Sequence, residues 1–248
     1  MAIGYHPTTP AGGRLDGDAS LQPGRQTSGA KLVGIGLIGC GIASVVLLAA
    51  HPGGGSPVLA DVLRNEAAQG LADAVVHGGF VLVMSLELVG FAALAVRAGP
   101  FRTPVLAAML FALVGSGLLA ASMVVDGLIT PAVAVRYATV PAVRQEPARA
   151  LLVLIGAAVS VLMPMGLAFL GAAALAWGAA LSPMRGAARI VGLLALALGV
   201  VIVGASGASL QALGMIGLIV ALLGSAAWAT AAGILLLRWP GAGDGSAV

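Results

Sequence analysis

The side chains that could do chemistry are concentrated in residues 71–97, LADAVVHGGFVLVMSLELVGFAALAVR. This stretch is apolar enough to cross a bilayer, yet it contains Asp73, His77 and Glu87. Ionisable groups inside a bilayer cost free energy, and they usually face a protein interior or water. On a helix with about 100° per residue, the three side chains lie within about 80° of one another. The sequence therefore predicts a helix with one polar stripe, whose opposite face suits lipid or apolar packing.

Two residues outside this stretch are expected to lie near the start of the stripe. His51 lies at the end of the first long apolar segment, and Asp126 lies at the end of the third. If successive segments cross the membrane in alternating directions, both residues lie on the side of the membrane where the segment 71–97 starts. We therefore predict a metal site formed by His51, Asp73, His77 and Asp126. Imidazole and carboxylate together suit zinc, iron or divalent copper.

Two other functions fit the same stripe. Glu87 follows His77 by ten residues, about 15 Å along a helix, and chains of histidine and carboxylate carry protons or ions in transporters. We predict such a path from His77 to Glu87. Met84 and Met123 are predicted to line a ligand site, either as thioether ligands of monovalent copper or as apolar contacts of a small molecule held between helices.

Simpler roles are open for the same residues. His51 precedes Pro52 and suits the end of a helix, and Asp73 and His77 are spaced to pair with each other within one helix. Asp126 is expected near the lipid headgroups, where an ionised group costs little.

Composition predicts that these residues belong to a membrane protein. The chain is 60% hydrophobic and 8% charged with a mean hydropathy of +1.08, whereas soluble domains carry about 25% charged residues. A spanning helix needs about 20 apolar residues, and six segments qualify: 31–50, 71–97, 103–126, 148–181, 188–204 and 212–238. The predicted fold is an all-α bundle of six transmembrane helices in residues 31–239. Residues 1–30 are predicted to form a disordered cytoplasmic tail and residues 240–248 a short tail.

The distribution of Lys and Arg predicts the orientation. An even number of helices places both termini on one side, which holds eight of the twelve basic residues. They are Arg14, Arg25, Lys31, Arg97, Arg102, Arg185, Arg189 and Arg238, against Arg64, Arg136, Arg144 and Arg149 on the other side. Because basic residues favour the cytoplasmic side, both termini are predicted to be cytoplasmic. The expected location is the inner, or plasma, membrane of a bacterium.

Several functional classes are not favoured. The net charge of +3 is attributed to the Lys and Arg residues that set the membrane topology. Binding of nucleic acid is not expected, because no basic run or aromatic platform occurs. No phosphate-binding loop or HExxH pattern is present, so the sequence leans away from an enzyme and offers no catalytic residue. A bundle with two haems needs four axial ligands, and only His51 and His77 lie near the membrane, so haem is not expected. The single cysteine excludes a disulfide within the chain.

The sequence thus predicts an integral inner-membrane protein with a polar site near its outer face. That site would bind a metal ion or a small ligand, with ion or proton movement through Glu87 as a further possibility. The alternative is a structural or accessory subunit without chemistry of its own, packed in the bilayer against other membrane chains or copies of itself.

Overall fold

The computed structural model describes residues 23–52, 56–209 and 214–239, and these residues are helical throughout except for short connections, with no strand among them. The α-helices of this part of the chain are α1 (Pro23–Ala49), α2 (Leu59–Ala98), α3 (Thr103–Val124), α4 (Thr130–Tyr137), α5 (Glu146–Leu181), α6 (Gly186–Ser209) and α7 (Gly214–Arg238). A π-helical turn, Val125–Ile129, joins α3 to α4, and a 3₁₀ turn, Ala142–Arg144, precedes α5. The prediction of an all-α fold is confirmed.

Six helical stretches in the described part of the chain are long and apolar enough to cross a membrane. They are 29–49, 59–98, 103–137, 146–181, 186–208 and 215–238, so each predicted segment overlaps one of them. α1 begins at Pro23, inside the predicted tail of residues 1–30; proline is favoured in the first helical turn because its missing N–H is not needed there. Residues 1–22 and 240–248 of the predicted tails lie outside the described residues.

Two helices are longer than the apolar segments that predicted them. α2 begins at Leu59 rather than near residue 71, and Gly70 does not interrupt it. A Cβ on Gly70 would lie 3.1 Å from Pro131, so this glycine is a point of close contact with α4. The third segment continues beyond Asp126 through the π-helical turn into α4, where Pro131 occupies the first turn.

Small residues bring the helices close together. A Cβ on Gly34 of α1 would lie 2.8 Å from the carbonyl oxygen of Gly233 on α7, and one on Gly115 of α3 would lie 2.8 Å from that of Gly166 on α5. Such contacts let backbones approach closely, which is how helices associate in membranes, where hydrophobic burial adds little. Phe91 of α2 stacks on Trp228 of α7, with ring centroids 6.1 Å apart.

The shortest of the six helical stretches has 21 residues, about 30 Å along its axis, and we call this common length the layer. The stretches at 59–98, 103–137 and 146–181 have 35 to 40 residues and extend beyond it. Contacts of Leu47 with Gly79 and of Leu37 with Gly90 place α1 antiparallel to the second half of α2. From residue 77 to residue 97, α2 rises about 30 Å, the thickness of a bilayer's hydrocarbon core. The first turns of α2 pack instead on α4 and the start of α5, around Leu63, Ala134 and Ala148. We call residues 59–76, 130–137 and 146–152 the three-helix projection.

Candidate metal centre

α2 presents its ionisable residues to the protein interior at the base of the three-helix projection. Asp73 and His77 are 6% and 2% exposed, while Val75 and Leu82 on the opposite face are each 61% exposed. Glu87 is intermediate in exposure. This alternation follows the helical period, so the polar stripe predicted from the sequence faces the bundle.

The imidazole of His77 is held by its own helix. Its Nδ1 lies 2.9 Å from the carbonyl oxygen of Asp73, one turn earlier. A carbonyl can only accept, so Nδ1–H is the donor, and in a neutral ring the lone pair is then on Nε2. Histidines that bind metals usually donate their other ring N–H to a carbonyl or carboxylate in this way. His77 therefore presents Nε2 as a fixed ligand atom.

Asp126 meets this nitrogen from the π-helical turn. Its Oδ2 lies 3.3 Å from Nε2 of His77. The turn packs directly on the ring: a Cβ on Gly127 would lie 2.3 Å from Cβ of His77, so no side chain fits at this position. Thr130 Oγ1 donates to the carbonyl oxygen of Val125 at 3.3 Å, across the wider ring of the turn. Single π-helical turns inside α-helices are frequent at functional sites.

His51 completes the cluster from the connection after α1. Its ring lies edge-on to that of His77, with centroids 5.0 Å apart and planes at 70°. Its Nδ1 lies 2.9 Å from the carbonyl oxygen of Pro52, so this ring also directs Nδ1–H to the backbone. The ligand atoms of His51, His77 and Asp126 all lie within 4.8 Å of one another. We call these three residues the candidate metal centre.

The spacing of the candidate metal centre suits a small ion. Nitrogen and oxygen ligands about 2.1 Å from zinc, at tetrahedral angles, lie about 3.4 Å apart. The His77–Asp126 separation of 3.3 Å already matches this value. His51 is exposed and follows the end of α1, and its ligand atom would have to move closer to the other two to reach the same spacing. Without an ion, a protonated His77 and Asp126 form an ordinary ion pair.

The fourth predicted ligand, Asp73, contributes in a different way. Its backbone carbonyl orients His77, and its carboxyl interacts electrostatically with His77, His51 and Asp126. Its carboxylate is outside the group of three converging ligand atoms. Asp73 therefore adds negative charge beside the candidate metal centre, and direct ligation by it stays a prediction.

The remaining predicted residues lie deeper in the bundle. Met84 and Met123 are 7% and 4% exposed and belong to one apolar cluster with Phe80. Glu87 interacts electrostatically with Cys40 of α1, and no hydrogen bond or ion pair involves Glu87 within the described part of the chain. That the methionines line a ligand, and that Glu87 carries protons or ions, stay predictions.

Two residues of the site are absent from the sequence-based assignment. Gly127 gives the π-helical turn its contact with His77, and the Asp-Gly pair after an apolar run was the available signal. Glu66 interacts electrostatically with Asp73, Asp126 and His77, and its spacing of seven and eleven residues from Asp73 and His77 places all three on one face of α2.

Comparisons with protein-family models, with curated proteins and with solved structures found no match to this chain. Function is therefore argued from the residues and their geometry.

Proposed function

We propose that this chain is a multi-pass membrane protein that binds a divalent transition-metal ion at the candidate metal centre. The observation that carries the proposal is the convergence of three ligand atoms within 4.8 Å, one of them on a buried histidine whose ring is fixed by a backbone carbonyl. Two imidazoles and a carboxylate suit zinc, iron or divalent copper. Asp73 and Asp126 supply negative charge that a bound cation offsets.

The membrane assignment is supported by six apolar helices and by a shared layer about 30 Å thick. Arg97, Arg102 and Arg185 lie at the end of this layer opposite the candidate metal centre. By the preference of basic residues for the cytoplasm, the termini are cytoplasmic and the centre faces outward. For a bacterial inner membrane this places the ion on the external side.

Ion or proton movement is an extension of this proposal. On the face of α2 between His77 and Glu87, the intervening side chains are Phe80 and Met84, which are apolar and buried. A path to Glu87 therefore requires water or a side-chain movement in this interval. Loss of proton or ion flux through proteoliposomes in a Glu87→Gln variant would support the extension, and unchanged flux would remove it.

Zinc titration of the purified full-length chain in detergent tests metal binding. We expect one ion per chain, and His77→Ala to weaken zinc binding at least 100-fold because it removes a ligand; loss of a mere supporting contact costs about 10- to 100-fold. Glu146→Gln is the matched control, since Glu146 is an exposed carboxylate that pairs with Arg149 on α5. Equal zinc affinity in His77→Ala and wild type would refute the proposal.

His51→Ala separates a metal centre from a simple ion pair. This substitution leaves His77 and Asp126 in place, and His51 is exposed, so the fold is expected to tolerate it. A metal centre predicts a clear loss of zinc affinity. No zinc bound by wild type, together with stable co-purification of another membrane protein, would instead favour the accessory-subunit alternative.

A further inference from the structure

The face of α2 that leads to the candidate metal centre carries two carboxyl groups, those of Glu66 and Asp73. Glu66, Asp73 and His77 are spaced by about two and one helical turns and lie within about 40° of one another around the axis. Gly70 lies between the two carboxyl groups and contacts Pro131 of α4. The carboxylates therefore follow the side of α2 that lies next to α4.

Neither Glu66 nor Asp73 forms an ion pair with an Arg or Lys in the described part of the chain. Glu66 interacts unfavourably with Asp73 and Asp126 and favourably with His77. Arg64, the basic residue closest to them in α2, forms its ion pair with Asp61.

The basic residues of the neighbouring helices are also directed elsewhere. On α4, Arg136 lies over the ring of Tyr137, 5.9 Å from its centroid. On α5, Arg149 pairs with Glu146 at 3.4 Å. The projection therefore holds a row of like charges that no described Arg or Lys neutralises, an arrangement that costs free energy unless a cation uses it.

We infer that Glu66 and Asp73 form an electrostatic path, a run of negative charge that attracts a divalent cation towards the candidate metal centre. The inference rests on the proposed function. Glu66 lies eleven residues from His77, about 16 Å along the axis, so it acts on the approaching ion rather than as a ligand. Charges placed along an approach route raise the rate of association with an oppositely charged ligand and leave the dissociation rate almost unchanged.

The expected effect of one charge is small and depends on salt. A carboxylate about 10 Å from a divalent ion in a water-like dielectric changes the ion's local concentration about two- to fourfold. The screening length is about 10 Å at 0.1 M ionic strength and about 3 Å at 1 M. The contribution of Glu66 is therefore expected at low salt and lost at high salt.

Stopped-flow measurement of Zn²⁺ association with the full chain in detergent tests this path. We expect Glu66→Gln to slow association two- to fourfold at 10 mM salt, with an unchanged dissociation rate and no difference from wild type at 1 M salt. Glu66→Asp, which keeps the charge, is the matched control and is expected to associate at nearly the wild-type rate.

The outcomes separate this inference from the function on which it rests. A wild-type chain that binds no zinc overturns both. A wild type that binds zinc, with equal association rates in Glu66→Gln and wild type at low salt, overturns the path alone. A loss of zinc affinity in Glu66→Gln that comes only from faster dissociation also overturns the path, because Glu66 would then contact the bound ion.

Discussion

Single residues fix the candidate metal centre through contacts that few other side chains could make. The hydrogen bond from His77 to the carbonyl of Asp73 lies within α2, so this orientation of the ring does not need a contact from another helix. Asp126 then depends on Gly127, because the π-helical turn touches the His77 side chain at that glycine. The imidazole of His77 is thus positioned by its own helix. The carboxylate of Asp126 can approach it because the next residue, Gly127, has no side chain.

Gly127→Ala is expected to disturb the centre without removing a ligand. The added methyl group would lie 2.3 Å from Cβ of His77, so either the turn or the ring must move, and zinc affinity should fall about 10- to 100-fold, the range seen for supporting contacts. The control is Gly117→Ala on α3, where a Cβ meets nothing within 4 Å. Zinc titration of both variants measures the difference; equal affinities would show that Asp126 does not depend on this contact.

Glu87 is expected to react with a hydrophobic carbodiimide. Its carboxyl lies about 15 Å from the level of His77 and has no hydrogen-bond or ion-pair partner among the described residues. An unpaired ionised carboxylate at this depth is costly, so the protonated acid, which is the form that carbodiimides attack, is favoured. Mass spectrometry should find the label on Glu87 and no label there after Glu87→Gln. Labelling of Glu66 instead would contradict this placement.

At the scale of helices, close packing depends on which face of a helix carries glycine. Gly34 and Gly36 are two residues apart on α1, yet only Gly34 contacts α7, through the backbone of Gly233. A larger side chain at Gly34 must separate the two helices, whereas one at Gly36 extends into open space. The same type of residue therefore has a structural role at one position and none at the other.

Gly34→Val should destabilise the fold, and Gly36→Val should not. Overpacking at a close contact typically costs about 1–3 kcal/mol, and here the clash is with backbone rather than a flexible side chain. Thermal unfolding of the purified variants in one detergent compares them, with the β-branched side chain identical in both. Similar losses at the two positions would mean that α1 and α7 do not approach as closely as the structure shows.

The helical period predicted which face of α2 is buried, but the sequence could not predict where the helix begins. Asp73 and His77 are buried as their spacing indicated. The start of α2 at Leu59 depends on tertiary packing of Leu63 against α4 and α5, which no local pattern contains. The π-helical turn was missed for a similar reason, because its geometry depends on the contact between Gly127 and His77.

At the scale of the whole molecule, some helices are longer than others, and the parts that extend beyond the common layer form the three-helix projection. The layer shared by the six helices has the thickness of a hydrocarbon core, and the candidate metal centre lies where that layer meets the three-helix projection. In the proposed membrane protein, an ion bound there would be at the edge of the bilayer rather than in its middle. Such a position would suit exchange with the aqueous side, towards which the carboxylates of α2 also lie.

Cysteine labelling tests this arrangement in cells. Phe101 and Val143 are 90% and 88% exposed and lie at opposite ends of the α3–α4 stretch. In a Cys40→Ala background, we expect a membrane-impermeant maleimide to label intact spheroplasts that carry Val143→Cys. Those that carry Phe101→Cys should be labelled only after the membrane is opened, because Arg97 and Arg102 favour the cytoplasmic side. The reverse pattern would invert the orientation and place the metal centre inside. Equal labelling of both positions in intact spheroplasts would contradict a membrane crossing between them.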